Sequence, residues 1–308
     1  MKTCVIALGG NALLKKGEKV TISVQYRNIE NTIKKISFLV QKYNLVITHG
    51  NGPQVGNALI RVEEALGKAY ALPLDVVVAE TEAEIGYIIE QVLGNELKAH
   101  HSKKAVVGIL TQVLVNKNDG AFQNPSKFIG PFYSKKEAEN LRLKGLHVKL
   151  DPRGGYRRVV ASPTPLKIVE SDIIKKLGKD TIIIAAGGGG IPVYEEKGKI
   201  HGIEAVIDKD LASAVLARDV SADLFLIITD VPYVYINFKK KNQKPLKSMN
   251  VKRAMQFLKQ GHFGEGSMKP KVEAAINFLS SGGKKVIITS PQNVEKALKG
   301  RSGTIIVK

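Results

Sequence analysis

A buried strand that runs straight into glycine, and then into a helix led by proline, leaves a chain few ways to fold. Residues 45–56, LVITHGNGPQVG, have that form. Leu45, Val46, Ile47 and Thr48 are too few for a helix and read as a strand, and Gly50 and Gly52 read as a tight turn. Pro53 suits a first helical position because it lacks the N–H that would have no partner there, and Val55, Leu59, Val62 and Leu66 follow at helical spacing. Strand, glycine turn and helix together present free backbone N–H groups at the positive end of a helix dipole, where an anion or phosphoryl group is held. A sharp turn at a sheet edge with no ligand is the alternative.

The same arrangement recurs. Cys4 to Leu8 form an apolar strand followed at once by Gly9, Gly10 and Asn11, and Thr181 to Ala186 lead into Gly187 to Gly190. Between them, Ile29, Ile33, Ile36, Leu39 and Val40 make one helix face, and Ile85, Ile88, Ile89, Val92 and Leu97 make another before a strand at Val106 to Leu110. After the third turn come a hairpin over Val193 to His201, a helix holding Leu211, Val215 and Leu216, and a strand Leu224 to Thr229 ending at Asp230. Helices near Ala254 to Leu258 and Val272 to Leu279 precede strands at Val286 to Thr289 and Thr304 to Val307. Strands alternating with helices predict an α/β sheet, mostly parallel, whose ligands sit beyond the strands' carboxyl ends.

From about 116 to 162 the periodicity fails. Asn124-Pro125, Gly130-Pro131, Gly154-Gly155 and Ser162-Pro163 interrupt it, and Phe122, Phe128, Phe132 and Tyr133 cluster there. A long insertion of this kind in a compact domain reads as a lid or binding loop.

The 308 residues carry a formal charge of +19 and a single cysteine, Cys4, which excludes an internal disulfide. No apolar run reaches the ~18 residues of a membrane span, and the glycines that break the amino-terminal stretch argue against a signal peptide, so the cytoplasm is expected. The lysines are spread along the chain with few aromatics among them. This disfavours a nucleic-acid groove and remains compatible with steering of phosphorylated substrates.

No glycine turn has the phosphate-loop pattern ending in Gly-Lys-Ser/Thr or the Gly-x-Gly-x-x-Gly fingerprint. Phosphates must then be handled by backbone N–H groups and lysines from elsewhere: Lys127 in the aromatic insertion, Lys209 in VIDKD and Lys271 in GSMKPKV. A lysine in so basic a chain is by default a solvated side chain, and position beside glycine, proline or a strand end raises these three. Asp210 starts a helix, where it either caps N–H groups or holds lysines by charge-assisted bonds. Asp230 ends a strand where such sheets place ligand contacts, or is a turn residue. The histidines have no metal-ligand spacing.

VIALGGNAL, VITHGNGPQVG, FQNPSKFIGPFY, GYRRVV-SP, GGGGIPV, EAVIDKDLAS, ITDV with VYINF, and GHFGEGSMKPKV, in this order from Val5 to the carboxyl terminus, resemble the carbamate kinases of the amino acid kinase superfamily. FQNP-K-GPFY and GHF-GSM-PKV separate them from acetylglutamate, uridylate and isopentenyl phosphate kinases. The resemblance implies a single amino-acid-kinase-like domain over 1–308: a three-layer αβα sandwich around an open, mostly parallel sheet. Its amino-terminal lobe spans about 1–180 with a protruding lid at about 116–162, and its carboxy-terminal, nucleotide lobe about 181–308. It further implies a homodimer and reversible transfer of a phosphoryl group between ATP and carbamate, with Mg2+ carried by ATP or ADP and no metal ligand assigned to the protein. Gly9, Gly10, Asn11, Gly50, Asn51 and Gly52 would lie on the carbamate side. Lys127 would come from the lid, Lys209 and Lys271 would contact phosphates, Asp210 would organise the lysines, and Asp230, Tyr235 and Met268 would fall where the nucleotide is held.

Carbamate is an anion whose attacking oxygen has no proton to lose, so no general base is needed; the barrier is repulsion between anions. A site of lysines and glycines without a catalytic histidine answers that need. Two departures from the family stand out. DVVVAETEAEIGY replaces an AMSQG-like segment before IGY, with Glu80, Glu82 and Glu84 read as solvated helix acids, and Lys269 replaces a common glycine, adding a cation or pointing outward. The rival functions are a phosphotransferase of this fold acting on another small acid or phosphate monoester, and a non-catalytic nucleotide-binding module.

Overall fold

In Lys2–Leu8 (β1) alternate residues face opposite ways, as strand geometry requires. Val5 and Ala7 enter one apolar core, while Cys4, Ile6 and Leu8 enter another on the opposite face. A strand buried on both faces must lie mid-sheet, between two layers of helices. The computed structural model describes residues 1–14, 17–19, 21–151, 154–178 and 180–308; the side chain of Asn11, an expected substrate contact, lies outside the described set.

The other strands of the main sheet are Tyr43–Thr48 (β2), Ala105–Gly108 (β3), Thr181–Ile184 (β4), Leu224–Ile228 (β5), Ser248–Asn250 (β6), Val286–Thr289 (β7) and Thr304–Val307 (β8). Their order is β6-β8-β7-β5-β1-β2-β4-β3. Pairing is parallel from β7 to β3, and β8 is antiparallel to β7 while parallel to β6. Since β1, β2 and β4 are adjacent and parallel, the three glycine turns emerge side by side at one edge.

Helices Ile22–Ile36 (α1) and Leu74–Ala99 (α3) line one face through Ile29, Ile33, Ile85 and Ile88. On the other face lie Lys209–Asp219 (α6) and Lys269–Ser280 (α8) through Ala212, Leu216, Ala275 and Phe278. The labels leave α2 for Gly52–Glu64, α4 for Lys135–Leu143 and α5 for Ser171–Leu177, with Val251–Lys259 as α7. The layers are therefore αβα. The sequence pattern places α3 only from Ile85 onward, but it begins at Leu74. Val77 and Val78, poor helix formers by propensity, are fully buried in a third cluster with Val55, Leu59 and Ile129, and this packing decides the local structure.

Within the aperiodic insertion Lys127–Tyr133, Tyr156–Val160 and Val148–Leu150 form an antiparallel sheet. The α4 helix it carries is closed by a capping box between Ser134 and Glu137. The Arg157 guanidinium donates to the Gly130 carbonyl at 2.7 and 3.0 Å. The first of these strands meets α2 backbone to backbone, since a Cβ on Gly56 would lie 2.0 Å from the Gly130 Cα. Arg158 also pairs with Glu63 of α2. A second sheet, with strands Lys199–Gly202, Ile191–Glu196, Gln112–Val115 and Pro165–Ile168, contains the expected hairpin turned at Lys197-Gly198.

Candidate active site

The α6 helix starts where Asp208, in an extended conformation, turns its Oδ1 onto the N–H groups of Asp210 (2.9 Å) and Leu211 (3.4 Å). Asp208 is the cap, so Asp210 is released from that role. Its two oxygens reach two lysines instead: Oδ1 lies 2.5 Å from Lys209 Nζ and Oδ2 lies 3.1 Å from Lys271 Nζ. Lys271 sits in the first turn of α8 and also donates to the Ser267 carbonyl at 3.0 Å. Oδ2 of Asp208 lies 2.7 Å from Nζ of Lys127, the first residue of the strand Lys127–Tyr133. Three ammonium groups thus face two carboxylates, and the cluster keeps a net positive charge beside two helix amino termini.

Charge and burial compete here. Burial raises the Asp208 carboxyl, but Lys127, Lys209 and Lys271 outweigh it and hold it well below the usual carboxylate range. Asp210 is likewise lowered against its burial, by Lys209 and Lys271. Burial pulls Lys209 below its ordinary value although Asp210 opposes it, whereas Lys271 is raised in spite of burial by the charge of Asp210. The three lysines outnumber the two carboxylates, and charge at both aspartates wins over burial, so the cluster is electrostatically unbalanced toward binding an anion.

The lysines stand over the second glycine turn. Gly50 packs against the methylenes of Lys209, which would lie 3.4 Å from a Cβ there, and Thr48 Oγ1 is 2.6 Å from Ser213 Oγ, pinning β2 to α6. Asn51 occupies the cap position of α2 without capping it, because its Nδ2 donates to Thr81 Oγ1 at 2.9 Å. The first turn of α2, with Gly52 at its start, is thus left uncapped by side chains and open to an anion. Gly9 is placed differently: its N–H donates to the Ile228 carbonyl at 2.9 Å, and so is committed to β5. Gly10 and Asn11 follow in a short 3-10 turn.

The third turn is not an anion cradle. The N–H of Gly187 donates to Glu82 Oε1 (2.9 Å), that of Gly188 to the His49 carbonyl (2.6 Å), and those of Gly189 and Gly190 to Ala186 and Gly187 (3.2 and 3.0 Å). The turn is a wall behind the second one. Glu82, read from the sequence as a solvated acid, is 4% exposed. Burial pushes its carboxyl up to about 8, and burial drives the imidazole of His49 down to about 4. Glu80 is exposed and Glu84 half-buried, as helix-surface acids are.

Asp230 is exposed at the end of β5, accepts from Thr229 Oγ1 at 3.0 Å, and its charge reaches Lys271. Tyr235 lies in an aromatic group with Tyr233 and Phe238, and Met268 packs on the core just ahead of α8. Among the described residues no hydrogen bond or cation–π contact joins either side chain to the three lysines. Lys269 pairs with Glu265 at 2.7 Å on the surface, so its charge is directed away from Asp210. Asp208, Glu82 and His49 were not found by sequence reasoning. For Asp208 the signal was present, since an Asp two residues before Asp210 at a strand-to-helix junction is a cap.

The sequence pattern of the amino acid kinase family matches residues 2–290. The chain is 47% identical to a carbamate kinase of Thermococcus kodakarensis and 47% identical to one of Thermoplasma acidophilum, each over 100% of both chains. It superposes on a structure of carbamate kinase from Giardia lamblia bound to AMP-PNP with a TM-score of 0.92, at 41% identity, covering 100% of this chain and 98% of that one.

Proposed function

The chain belongs to the amino acid kinase family, and from that membership we propose that it is a carbamate kinase, an enzyme that moves a phosphoryl group reversibly between ATP and carbamate. The observation that carries this reading is Asp210 bridging Lys209 and Lys271 over the uncapped start of α2, with Lys127 delivered by the lid. Full-length relatives at 45–47% identity are named carbamate kinases, which agrees with it.

Carbamate attacks the γ-phosphorus of ATP through its anionic oxygen; a P–O bond to carbamate forms as the P–O bond to ADP breaks, and no proton moves. In reverse, carbamoyl phosphate yields its phosphoryl group to ADP and leaves as carbamate. The work of the protein is to hold two anions in line and to offset the charge on the transferred oxygens. Gly10, Asn11, Gly50, Asn51 and Gly52 hold the carbamate side with backbone N–H groups. Lys209 and Lys271 meet the transferred group, and Asp210 keeps them 2.5 and 3.1 Å from its oxygens so that their mutual repulsion does not displace them. Asp230, Tyr235 and Met268 flank the nucleotide.

Magnesium fits this donor set as an ion carried by the nucleotide. Among the described residues no group of three or more His, Cys, Asp or Glu can hold a metal, Asp208 and Asp210 are engaged by lysines, and Asp230 is the exposed carboxylate available to it. When bound, it offsets phosphate charge.

A homodimer is supported by the free edge of β3, where Val107 and the neighbouring Tyr87 and Leu110 are exposed, so a second copy would cover a sheet edge that is otherwise open. Among the described residues no helix is long and apolar enough to cross a membrane, and we place the enzyme in the cytoplasm with its nucleotide.

The test is ATP formation from magnesium-ADP with carbamoyl phosphate, run beside acetyl phosphate. Rapid formation from carbamoyl phosphate alone is expected. A folded protein that binds ADP and makes no ATP from carbamoyl phosphate would overturn the substrate assignment.

A further inference from the structure

One buried carboxyl group joins the segments that follow three strands of the main sheet. Glu82 of α3 accepts from Gly187 N–H through Oε1 at 2.9 Å and from Thr111 N–H through Oε2 at 3.3 Å. Thr111 is itself tied in, its hydroxyl accepting from Ala186 N–H at 2.9 Å and donating to the Ile109 carbonyl at 2.7 Å. Across the four-glycine turn stands His49, whose carbonyl accepts from Gly188 N–H at 2.6 Å and whose ring lies within 3.2 Å of the Gly50 carbonyl. The fit is close: a Cβ on Gly187 would lie 2.2 Å from His49 Nε2 and 3.0 Å from Glu82 Cγ, and one on Gly188 would lie 2.1 Å from Asn51 Nδ2. The position of Gly50 and Asn51 is thus set by the turn that Glu82 holds.

We propose that Glu82 is a positioning residue for phosphoryl transfer, whose carboxyl group clamps the Gly187–Gly190 turn against His49 and Asn51 and so fixes the backbone N–H groups that hold the anionic substrate. This rests on the carbamate kinase reading.

No Lys or Arg among the described residues forms an ion pair with Glu82. The titratable groups that face it are His49 from the turn after β2 and Glu170 from the start of α5, with Lys209 of α6 beyond His49. Glu80 and Glu84 share its helix, and Tyr87 and Glu90 line with it a cavity of about 200 Å³ that gives protons access. Burial pushes the carboxyl up to about 8 although the N–H groups of Thr111 and Gly187 lower it, so its anionic share behind the substrate turn grows as the medium turns alkaline. On this proposal the added negative charge behind the turn weakens the binding of carbamoyl phosphate.

The experiment measures KM for carbamoyl phosphate and for ADP, with kcat, from pH 6.5 to 9 in wild type, Glu82→Gln and Glu82→Ala, with thermal melts of each. Glu82→Ala is expected to raise KM for carbamoyl phosphate about tenfold while kcat and KM for ADP change less than about threefold. Wild-type KM for carbamoyl phosphate is expected to rise above pH 8, and Glu82→Gln to abolish that rise. A Glu82→Gln profile that superimposes on wild type overturns the proposal, as does a folded Glu82→Ala with unchanged KM. If Glu82→Ala does not fold, the Glu82→Gln profile decides. Absence of wild-type ATP formation in the same assay would overturn the carbamate kinase reading instead, so the two failures are separable.

Discussion

The ammonium of Lys127 lies 2.7 Å from Oδ2 of Asp208, the residue that caps α6. One side chain comes from the antiparallel sheet of the insertion and the other from the start of the helix that supplies Lys209, so one ion pair ties that sheet to the cluster of Lys209, Asp210 and Lys271. The two side chains are 30% and 18% exposed, and Lys127 is the foremost of the lysines that hold the Asp208 carboxyl below its usual range.

Asp208→Asn separates the two duties of that residue. Asn caps a helix about as well as Asp, so the start of α6 is kept, while loss of the carboxylate that three lysines stabilise lowers the melting temperature and leaves Lys127 without its anionic partner. Turnover is expected to fall about tenfold, less than for loss of a group that touches the phosphoryl oxygens. Unchanged kcat in the ATP-formation assay would remove this pair from the reaction.

Lys209→Ala and Lys271→Ala each delete a cation aimed at developing charge, and each is expected to lower kcat by ~10²-fold or more. The double variant should lose less than the product of the two, because both lysines share Asp210 and act as a unit. Near-normal turnover in Lys271→Ala would remove that lysine from the chemistry.

Gly56→Ala tests the docking of the lid. Alanine in a helix interior normally stabilises by ~1 kcal/mol relative to glycine, and Gly94→Ala in α3, with nothing within 4 Å of its Cβ, is the matched control. At Gly56 the new methyl would meet Gly130 backbone, and overpacking of this kind costs about 1–3 kcal/mol. Gly56→Ala is expected to melt lower than wild type, to lose turnover through displacement of Lys127, and to be cleaved faster in the lid by protease; Gly94→Ala should melt higher. Equal melting of the two variants would mean that the lid does not rest on α2.

Stability should depend on pH through Glu82 and His49. Between its ordinary value of 4.5 and about 8, Glu82 holds a proton in the folded chain that the unfolded chain has lost, so stability falls as pH rises. Between about 4 and 6.5, unfolded His49 holds a proton that the buried ring lacks, so stability rises with pH. The slopes offset each other from about 4.5 to 6.5, and that of Glu82 remains from 6.5 to 8 at ~1.4 kcal/mol per pH unit. Urea unfolding across that window should give the slope in wild type and lose it in Glu82→Gln; parallel slopes would mean that Glu82 does not titrate there.

Much of the fold was legible because its signals are local. The strands at Val286–Thr289 and Thr304–Val307 and the hairpin turned at Lys197-Gly198 follow from apolar runs and turn residues. Other parts were not legible, for physical reasons. The helical state of Val77 and Val78 comes from burial against the lid strand and not from propensity. The third glycine turn follows a buried strand as the second does, yet its N–H groups are taken by Glu82, His49 and the turn itself. Glu82 and Glu80 are equivalent in composition and lie on different faces of one helix.

By itself the sequence determined the α/β class, the alternation that buries β1 on both faces, the glycine turns at the strand ends and which lysines stand beside them, because periodicity and turn chemistry act between near neighbours in the chain. Tertiary structure alone decided which carboxylate caps and which bridges, and which acid is buried. Asp210 meets Lys271 across 61 residues and Glu82 meets Gly187 across 105. The partner of a buried charge is chosen by which segments the sheet brings side by side, and β2 and β4 become neighbours only when the fold closes.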